Sequence, residues 1–286
     1  MKLLHKADES LFWYWITERH NIWLRRQAGQ AKPWTSDPIL RDYKFTNVFR
    51  QLDAGTFWLT EHFIGPHWHD DTALMLFNIA WYRMFNWIGT GELLGWRTSW
   101  RSKSIRKKLT KAHDAGEQVF TGAHIVWGEF GKSKVEGVMD CCDKVWARKA
   151  YLASMSRFHR SLQQTFLELK QIRGIGPFIA YEIVTDLRHT RLLHDARDIN
   201  SWANVGPGAM RGLCRMYPKI KPAEALSSMR ALLSQSRSEI TRPLPDSVPE
   251  LELRDIEHSL CEFDKYCRVK FGEGRPRSTY NGKADV

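Results

Sequence analysis

A glycine turn between two helical segments is the feature of this sequence that most directly indicates chemistry. Residues 162–171 and the segment that begins at Pro177 have helical patterns, and Gly174-Ile-Gly176 lies between them. Glycine lets the backbone approach a ligand closely, and the N–H groups at a helix N-terminus bind anions such as a DNA phosphate. The spacing therefore predicts a helix-hairpin-helix at about 162–190, with DNA contacts from Arg173, Gly174, Ile175 and Gly176. An ordinary turn between two helices is the alternative.

Asp198, which follows Gly176 by 22 positions, is the candidate general base. The segment resembles the helix-hairpin-helix DNA glycosylases, which place an essential aspartate at a similar distance after the hairpin, at the start of another helix. Such a carboxylate takes a proton from an ammonium group or stabilises a developing cation. Bifunctional glycosylases carry a lysine nucleophile where this chain has Phe178, so Schiff-base chemistry is not expected. An N-cap without chemistry is the alternative for Asp198.

The charge of the chain favours a polyanionic partner. The chain has 286 residues and a formal net charge of +11, and 43% of its residues are hydrophobic. A chain of this length buries a substantial core, so we expect a single compact helical domain at 1–271, or two helical lobes, followed by a basic, partly disordered tail at 272–286. Because no apolar run reaches the ~20 residues of a membrane-spanning helix, nucleic acid is a better candidate than a membrane.

The cysteines and the N-terminal residues indicate a cytoplasmic location. The five cysteines are an odd number without zinc-ligand spacing, and no signal-peptide pattern follows Met1. We therefore expect reduced thiols. The pattern predicts no metal site and no cofactor, while a metal requirement of the reaction stays open.

Helical periodicity recurs along the chain, so the predicted fold class is all-α, and the hairpin makes it a helical domain like that of the DNA glycosylases. Apolar residues follow this period from Phe12 to Trp23 and from Leu74 to Phe85, with Asp70-Asp71 as the predicted cap of the second stretch. Thr46 or Asn47 is predicted to cap a helix that reaches past Trp58. Further helices are predicted at 102–115, 133–149, 157–171, 177–188, 208–216, 222–235 and 251–270.

Three segments depart from the helical pattern. Val119 to Trp127 has the alternation of a strand. Gly89 to Lys103 and Ile240 to Pro249 have the composition of linkers.

Five long and unusual blocks of the sequence carry a family resemblance. They are residues 43–50 (YKFTNVFR), 120–123 (FTGA), 176–189 (GPFIAYEIVTDLRH), 200–208 (NSWANVGPG) and 254–264 (RDIEHSLCEFD). These blocks resemble a helical family found in bacteriophages that hypermodify thymine, and the resemblance runs from about residue 10 to residue 280. The family has been called alpha-glutamyl/putrescinyl thymine pyrophosphorylase, amino acid:DNA transferase and 5-hydroxymethyluracil DNA kinase-associated helical domain.

The resemblance implies a reaction on double-stranded DNA that carries a modified uracil, inside a phage-infected bacterium. In such pathways 5-hydroxymethyluracil is phosphorylated to a 5-pyrophosphomethyl group, and the family displaces the pyrophosphate with the nitrogen of a small amino acid or a polyamine. A 5-hydroxymethyluracil DNA kinase is a further implied partner. Glycine, serine, glutamate and putrescine all stay open as the donor.

Residues in the matching blocks can serve this chemistry. Tyr43, Phe45 or Trp202 can stack on an extruded base, and the amide of Asn47 matches the O4 and N3–H edge of uracil. Asn47 as a helix cap is the alternative. Arginine binds phosphate through paired hydrogen bonds, which favours Arg50, with Lys44 beside it, for the leaving group. Solvated surface charge is the alternative for both. Arg254 is also assigned to substrate binding, and Asn200 is expected to orient Asp198 or the base.

The C-terminal helix and tail add weaker candidates. A Cys261 thiolate that adds to C6 of the pyrimidine would help to expel the leaving group, and His258 lies one helical turn away. An inert buried thiol is the alternative. Arg275 and Arg277 are predicted to bind phosphates, or else are solvated.

Three functions therefore stay open. The leading one is a DNA-modifying transferase. The others are a monofunctional DNA glycosylase and a non-catalytic DNA-binding partner of a kinase.

Overall fold

The computed structural model describes residues 4–122, 131–240, 250–276 and 279. Within them the chain divides into two compact units. The first takes its residues from Met1–Asp53 and Ile199–Asp285, and the second from Ala54–Asp198. The expectation of a single compact domain stays a prediction.

The fold is all-α, as the periodicity predicts. The described residues contain no β-strand, and only an isolated bridge joins Tyr43 to Thr279. Short 3-10 helices occur at Arg50–Leu52 and Pro222–Glu224, and a π-helix at Thr60–Ile64. The α-helices are α1 (Glu9–Gln27), α2 (Pro38–Asp42), α3 (Ala54–Leu59), α4 (Thr72–Phe85), α5 (Ile88–Leu94), α6 (Ser102–Asp114), α7 (Lys134–His159), α8 (Leu162–Lys170), α9 (Pro177–Leu187), α10 (Pro207–Met216), α11 (Ala225–Glu239) and α12 (Leu253–Lys270).

Several predicted boundaries were wrong. The helix expected from Thr46 or Asn47 is replaced by a loop, a 3-10 helix and the short α3, because Asn47 and Asp53 bond to the loop itself. α5 occupies part of the predicted linker at 89–103. The helix expected at 133–149 continues to His159, since residues 150–156 include no glycine or proline and bury Leu152, Ala153 and Ser156. Residues 119–122 form no strand, and 123–130 lie outside the described residues.

In the second unit, α4 packs against α7 and α9. Asp71 caps α4 by accepting the N–H groups of Ala73 and Leu74, as expected. Almost every residue of α4 from Met75 onward is buried, so this helix forms the centre of the unit. Its Arg83 donates two hydrogen bonds to the buried Asp186 of α9, at 2.5 and 2.7 Å. Pairing with good geometry is what allows two charges to be buried in such a core.

In the first unit, α12 packs against α10, α11 and α1. Five side chains of α12 at helical spacing are fully buried: Leu253, Ile256, Leu260, Phe263 and Cys267. α10 approaches closely because Gly212 has no side chain, and a Cβ there would collide with the carbonyl of Leu260. Arg215 is completely buried and pairs with Asp264 and Glu273, at 2.8 and 2.7 Å. These contacts join α10 to α12 and to the residues that follow it.

Candidate functional site

Residues 171–176 form a turn between α8 and α9, where the sequence predicts a helix-hairpin-helix, and this turn is called the hairpin below. Ile172 and Ile175 are buried and anchor the turn, whereas Arg173, Gly174 and Gly176 are exposed. Gly174 has φ +99°, a left-handed conformation that favours glycine, and a Cβ there would lie 2.5 Å from the Cys141 sulfur. The buried isoleucines therefore hold a glycine backbone at the surface.

The start of α9 has the properties of an anion-binding helix terminus. Gly176 is the N-cap and Pro177 opens the helix, with no side-chain cap among the described residues. Gly176 has φ −77°, and a Cβ at this position would meet no atom within 4 Å, so the space in front of it is open. Lys144 of α7 donates to the carbonyl of Arg173, at 3.2 Å, and brings positive charge to the turn. This geometry suits a phosphate.

Asp198 is bound to the start of α8. Its carboxylate accepts the N–H groups of Leu162 at 2.7 Å and Gln163 at 3.0 Å, and the hydroxyl of Ser161 at 2.7 Å. Asp198 itself lies in a turn, and the next helix begins only at Pro207, so the expectation that it opens a helix was wrong. The aspartate therefore caps a helix that precedes it by 36 positions. Its role as a base stays a prediction.

In the loop at 43–53, the side chain of Asn47 is already hydrogen-bonded to other residues of the protein. The Asn47 side-chain oxygen accepts from Arg19 at 2.8 Å, and its Nδ2 donates to the carbonyl of Leu52 at 2.6 Å. Its backbone N–H donates to Asp53 at 2.8 Å. Because both ends of the amide are engaged, this geometry opposes base recognition by Asn47. The helix-cap alternative was wrong too, since Asn47 starts no helix.

Arg50 and Arg254 are buried beside the start of α12. Arg50 is 7% exposed, which excludes the solvated alternative, and its backbone N–H donates to Asp255 at 3.1 Å. Arg254 is 4% exposed and its Nε lies 3.0 Å from Glu252. Burial raises the pKa of the Asp255 carboxyl. This carboxyl joins the loop to α12, and sequence reasoning missed it because its partner lies 205 positions away.

Tyr43, Lys44 and Phe45 lie at the wall of a cavity of about 440 Å³ in the first unit. Phe45 is 8% exposed and packs edge-on against Trp15, with ring centroids 6.1 Å apart. Asn47 and Arg50 are not among the residues that line this cavity. Within the 43–50 block, residues 43–45 therefore line the cavity, whereas Asn47 and Arg50 bond to other parts of the fold.

Asn200 and Trp202 precede α10. The Asn200 side-chain oxygen accepts the N–H of Leu253 at 3.2 Å, so Asn200 caps the start of α12. It also lines a second cavity of the first unit, of about 320 Å³, together with Arg230 and Arg237 of α11. Trp202 is half-buried. Asn200 belongs to the first unit and Asp198 to the second.

The structure opposes the thiolate hypothesis for Cys261. Although the residue is exposed, its sulfur packs against Gly208, where a Cβ would collide with it. Burial raises the pKa of the Cys261 thiol to about 12, and the carboxylates of Glu262 and Glu257 act in the same direction. The thiol therefore stays protonated at neutral pH. His258 lies 4.0 Å from Asp53 instead.

Part of the C-terminal tail is anchored. Glu273 bonds to the side chains of Arg215 and His5, which lower its pKa to about 2, with Arg215 the larger influence. Glu273 is therefore held by these bonds, and the partial disorder of the tail stays a prediction. Arg275 is exposed, as phosphate binding requires, and Arg277 lies outside the described residues.

Sequence reasoning missed the other basic side chains around the 440 Å³ cavity. They come from α1, from the segment before α2 and from α2 itself, and they meet the 43–45 block only in the folded chain. The high density of basic and aromatic residues between positions 19 and 45 could have indicated this cavity from the sequence. These residues are Arg19, Arg26, Lys32, Trp34 and Arg41.

Two further properties concern ligands and membranes. In the part of the chain that the structure describes, no three His, Cys, Asp or Glu side chains are grouped to hold a metal ion. No described helix combines the length and apolar character that crossing a bilayer requires.

Comparisons with known proteins give a consistent result. Residues 8–275 match the family model described as "5-hmdU DNA kinase, helical domain". The chain is similar to the 5-hmdU DNA kinase of Bacillus phage SP10, with 27% identity over 283 residues. The match covers 88% of this chain and 43% of that relative, so the chain spans less than half of the relative's length. No solved structure matches the chain.

Proposed function

Because the chain belongs to the family of 5-hmdU DNA kinase helical domains, we propose that it takes part in the hypermodification of thymine in DNA. Its specific activity in this proposal is that of a transferase. It replaces the pyrophosphate of 5-pyrophosphomethyluracil in DNA with the nitrogen of an amino acid or a polyamine. The substrate is double-stranded DNA in a phage-infected cell.

The glycine hairpin is the observation that carries this proposal. It presents Gly174, Gly176 and the start of α9 at the surface, with Lys144 beside the turn. An exposed backbone with positive charge binds phosphates of any sequence, which suits an enzyme that must act wherever the modified base occurs. The net charge of +11 also favours DNA as the partner.

The reaction requires defined movements of electrons and protons. The lone pair of the incoming nitrogen forms a C–N bond at the 5-methylene carbon, and the C–O bond to the pyrophosphate breaks. The pyrophosphate leaves with that electron pair, and the nitrogen loses a proton to a base. Because the base of a duplex is not accessible, the nucleotide is extruded from the stack at a cost of a few kcal/mol.

Asp198 is the proposed proton acceptor. A carboxylate offers about four acceptor positions, and three hydrogen bonds reach that of Asp198, so about one position on Oδ1 is left for an ammonium proton. The three donors also fix its orientation, which favours catalysis by a positioned base. Lys44 and Arg50 belong to the first unit and stay separate candidates for phosphate binding. The engaged amide of Asn47 and the protonated Cys261 have no chemical role in this proposal.

A second candidate function follows from the comparison of lengths. The relative named as a kinase is more than twice as long as the matched region, which covers 43% of it. A helical, non-catalytic DNA-binding part that serves a kinase fits this observation. A glycosylase is less well supported, because the family match is to a kinase-associated domain.

Product analysis distinguishes these functions. The protein is incubated with DNA that carries 5-pyrophosphomethyluracil and with pooled amino acids and polyamines, and the nucleosides are then analysed by mass spectrometry. A new nucleoside whose mass corresponds to thymidine with one amino acid or polyamine attached supports the transferase, and the mass identifies the donor. DNA with unmodified 5-hydroxymethyluracil is the matched control, because it lacks the leaving group.

Other products would contradict the proposal. Release of the free base would indicate a glycosylase. Tight binding to the same DNA without any new nucleoside would indicate a non-catalytic DNA-binding domain that serves a kinase.

A further inference from the structure

The cavity between α1 and the 32–45 segment concentrates positive charge. Its volume of about 440 Å³ lies within the range of small-molecule sites, which is roughly 300–1,000 Å³. Asp and Glu are absent from the side chains that line it in the described chain, and the exposed Asp42 pairs with Arg41 from outside. Its basic lining residues are Arg19, Arg26, Lys32, Arg41 and Lys44. Such a lining favours an anionic ligand of small-molecule size.

One wall of the cavity is aromatic. Trp34 is half-buried, and its indole N–H donates to the carbonyl of Gln30 at 2.7 Å, which holds the ring in place. The Arg26 guanidinium lies 5.2 Å and the Lys32 ammonium 5.0 Å from the centre of the Trp34 ring. Tyr43 and Phe45 extend the wall. Flat rings and cations thus line one space, as they do where bases and phosphates are bound together.

Arg19 gives the cavity a fixed charge. Its side chain is 6% exposed and donates to the carbonyl of Phe45 through Nε at 3.3 Å and Nη2 at 3.0 Å. Nη2 also donates to Asn47 at 2.8 Å. A guanidinium held by the fold attracts an anion without the entropy loss of ordering a mobile side chain. The Asn47 amide therefore acts as a positioning group for Arg19.

We propose that this cavity is a nucleotide site that stacks a base against its aromatic wall and holds a di- or polyphosphate with its basic side chains. The ligand is either a free nucleotide or a nucleotide extruded from DNA, which share this chemistry. The choice of DNA as the source rests on the proposed function, whereas the recognition of a phosphorylated base rests on the cavity itself. A polyamine is excluded as the occupant, because the lining would repel its positive charges.

Calorimetry with the whole chain tests the assignment, with thymidine diphosphate as the probe. We expect saturable binding that thymidine and inorganic pyrophosphate each reproduce only weakly, since each lacks one half of the ligand. The double variant Arg26→Gln/Lys44→Gln should lose about tenfold or more in affinity. The matched control is Lys219→Gln/Lys270→Gln, which removes the same charge from exposed positions of the same unit. It should change affinity less than about threefold, as surface charge does.

A third variant tests the aromatic wall. Trp34→Leu should weaken binding of thymidine diphosphate and leave binding of pyrophosphate unchanged, because only the base stacks. The proposal is overturned if wild-type protein does not saturate with thymidine diphosphate, if both double variants lose affinity equally, or if pyrophosphate binds as tightly as the nucleotide.

Competition identifies the source of the nucleotide. Displacement of bound thymidine diphosphate by duplex DNA with 5-pyrophosphomethyluracil, but not by thymine DNA, assigns the site to an extruded nucleotide. Failure of both duplexes to displace it assigns the site to a free nucleotide. Because binding is measured without turnover, a protein that binds the nucleotide yet transfers nothing would contradict only the proposed function. Transfer without nucleotide binding would contradict only the cavity assignment.

Discussion

The hairpin of the second unit and the 43–53 loop of the first unit differ in what they present to a substrate. The hairpin presents backbone, with Gly174 and Gly176 exposed and the start of α9 without a side-chain cap among the described residues. The loop engages its polar groups internally: Asn47 bonds to Arg19 and Leu52, and Arg50 is buried beside Asp255.

The difference shows which kind of site a sequence reveals. A backbone site depends on glycine and on a helix start, and both are local properties. A side-chain site depends on which polar groups are already bonded, and those partners are remote in sequence. The residue types in the loop matched uracil and phosphate, yet the fold uses several of them as braces.

The largest expected effect concerns Asp198. Replacing Asp198 by Asn removes the proposed proton acceptor, so transfer should slow by ~10²-fold or more. The new NH₂ group also faces donors at the start of α8, so a loss of stability of about 1 kcal/mol is expected as well. Single-turnover kinetics and thermal unfolding measure the two effects separately.

Ser161→Ala is the matched control for this variant. It removes hydrogen bonds to Asp198 and to the N–H of Gln164, and it leaves the carboxylate in place. Stability should fall by a similar ~1 kcal/mol, with transfer reduced only a few-fold. Near-normal transfer in Asp198→Asn would reduce Asp198 to a cap and move the search for the base to Glu257 or His258.

Arg50→Lys tests whether the buried part of the loop has a chemical role. If Arg50 stabilises the leaving pyrophosphate, turnover should fall about tenfold while affinity for DNA stays unchanged, because a point charge replaces a bidentate group. Asp53→Ala is the comparison, because it removes the carboxylate that accepts the N–H of Asn47 in the same loop. If turnover falls no further in Arg50→Lys than in Asp53→Ala, Arg50 has only a structural role.

The two hairpin glycines should respond differently to substitution. Gly176→Val should keep the fold, because its φ is −77° and its surroundings are open, yet weaken binding to duplex DNA several-fold by blocking a phosphate. Gly174→Val should mainly destabilise the protein, by about 1–3 kcal/mol, because φ is +99° and Cys141 occupies the space. Titrations at several salt concentrations should show steep salt dependence for the wild type. Unchanged DNA affinity in Gly176→Val would remove the hairpin from the interface.

The smallest effect is expected at Cys261. The pKa of about 12 lies far above neutral pH, so the thiol is protonated and inactive as a nucleophile. Cys261→Ser should therefore change transfer by less than about twofold, with rate profiles that coincide between about pH 6 and pH 9. A large loss confined to this variant would restore covalent catalysis.

The sequence by itself determined the fold class, the glycine turn between α8 and α9 and the cap of α4. The apolar repeats of α1, α4 and α12, the glycine spacing and Asp71 act over one or two helical turns, so neighbouring residues suffice to predict them. Boundaries failed where local signals compete with distant bonds. Asn47 has the residue type of a helix cap but is held in a loop by Arg19.

Only the tertiary structure decided which candidate residues can contact a substrate and which are engaged by the fold. Asp198 caps a helix 36 positions earlier, and the Asp255 carboxyl receives the N–H of Arg50 across 205 positions. Packing of α12 on Gly208 keeps Cys261 protonated, and α1 supplies the fixed charge of the cavity at 32–45. Burial and hydrogen bonding determine the charge and reach of a polar group, and both arise from contacts that local sequence patterns do not contain.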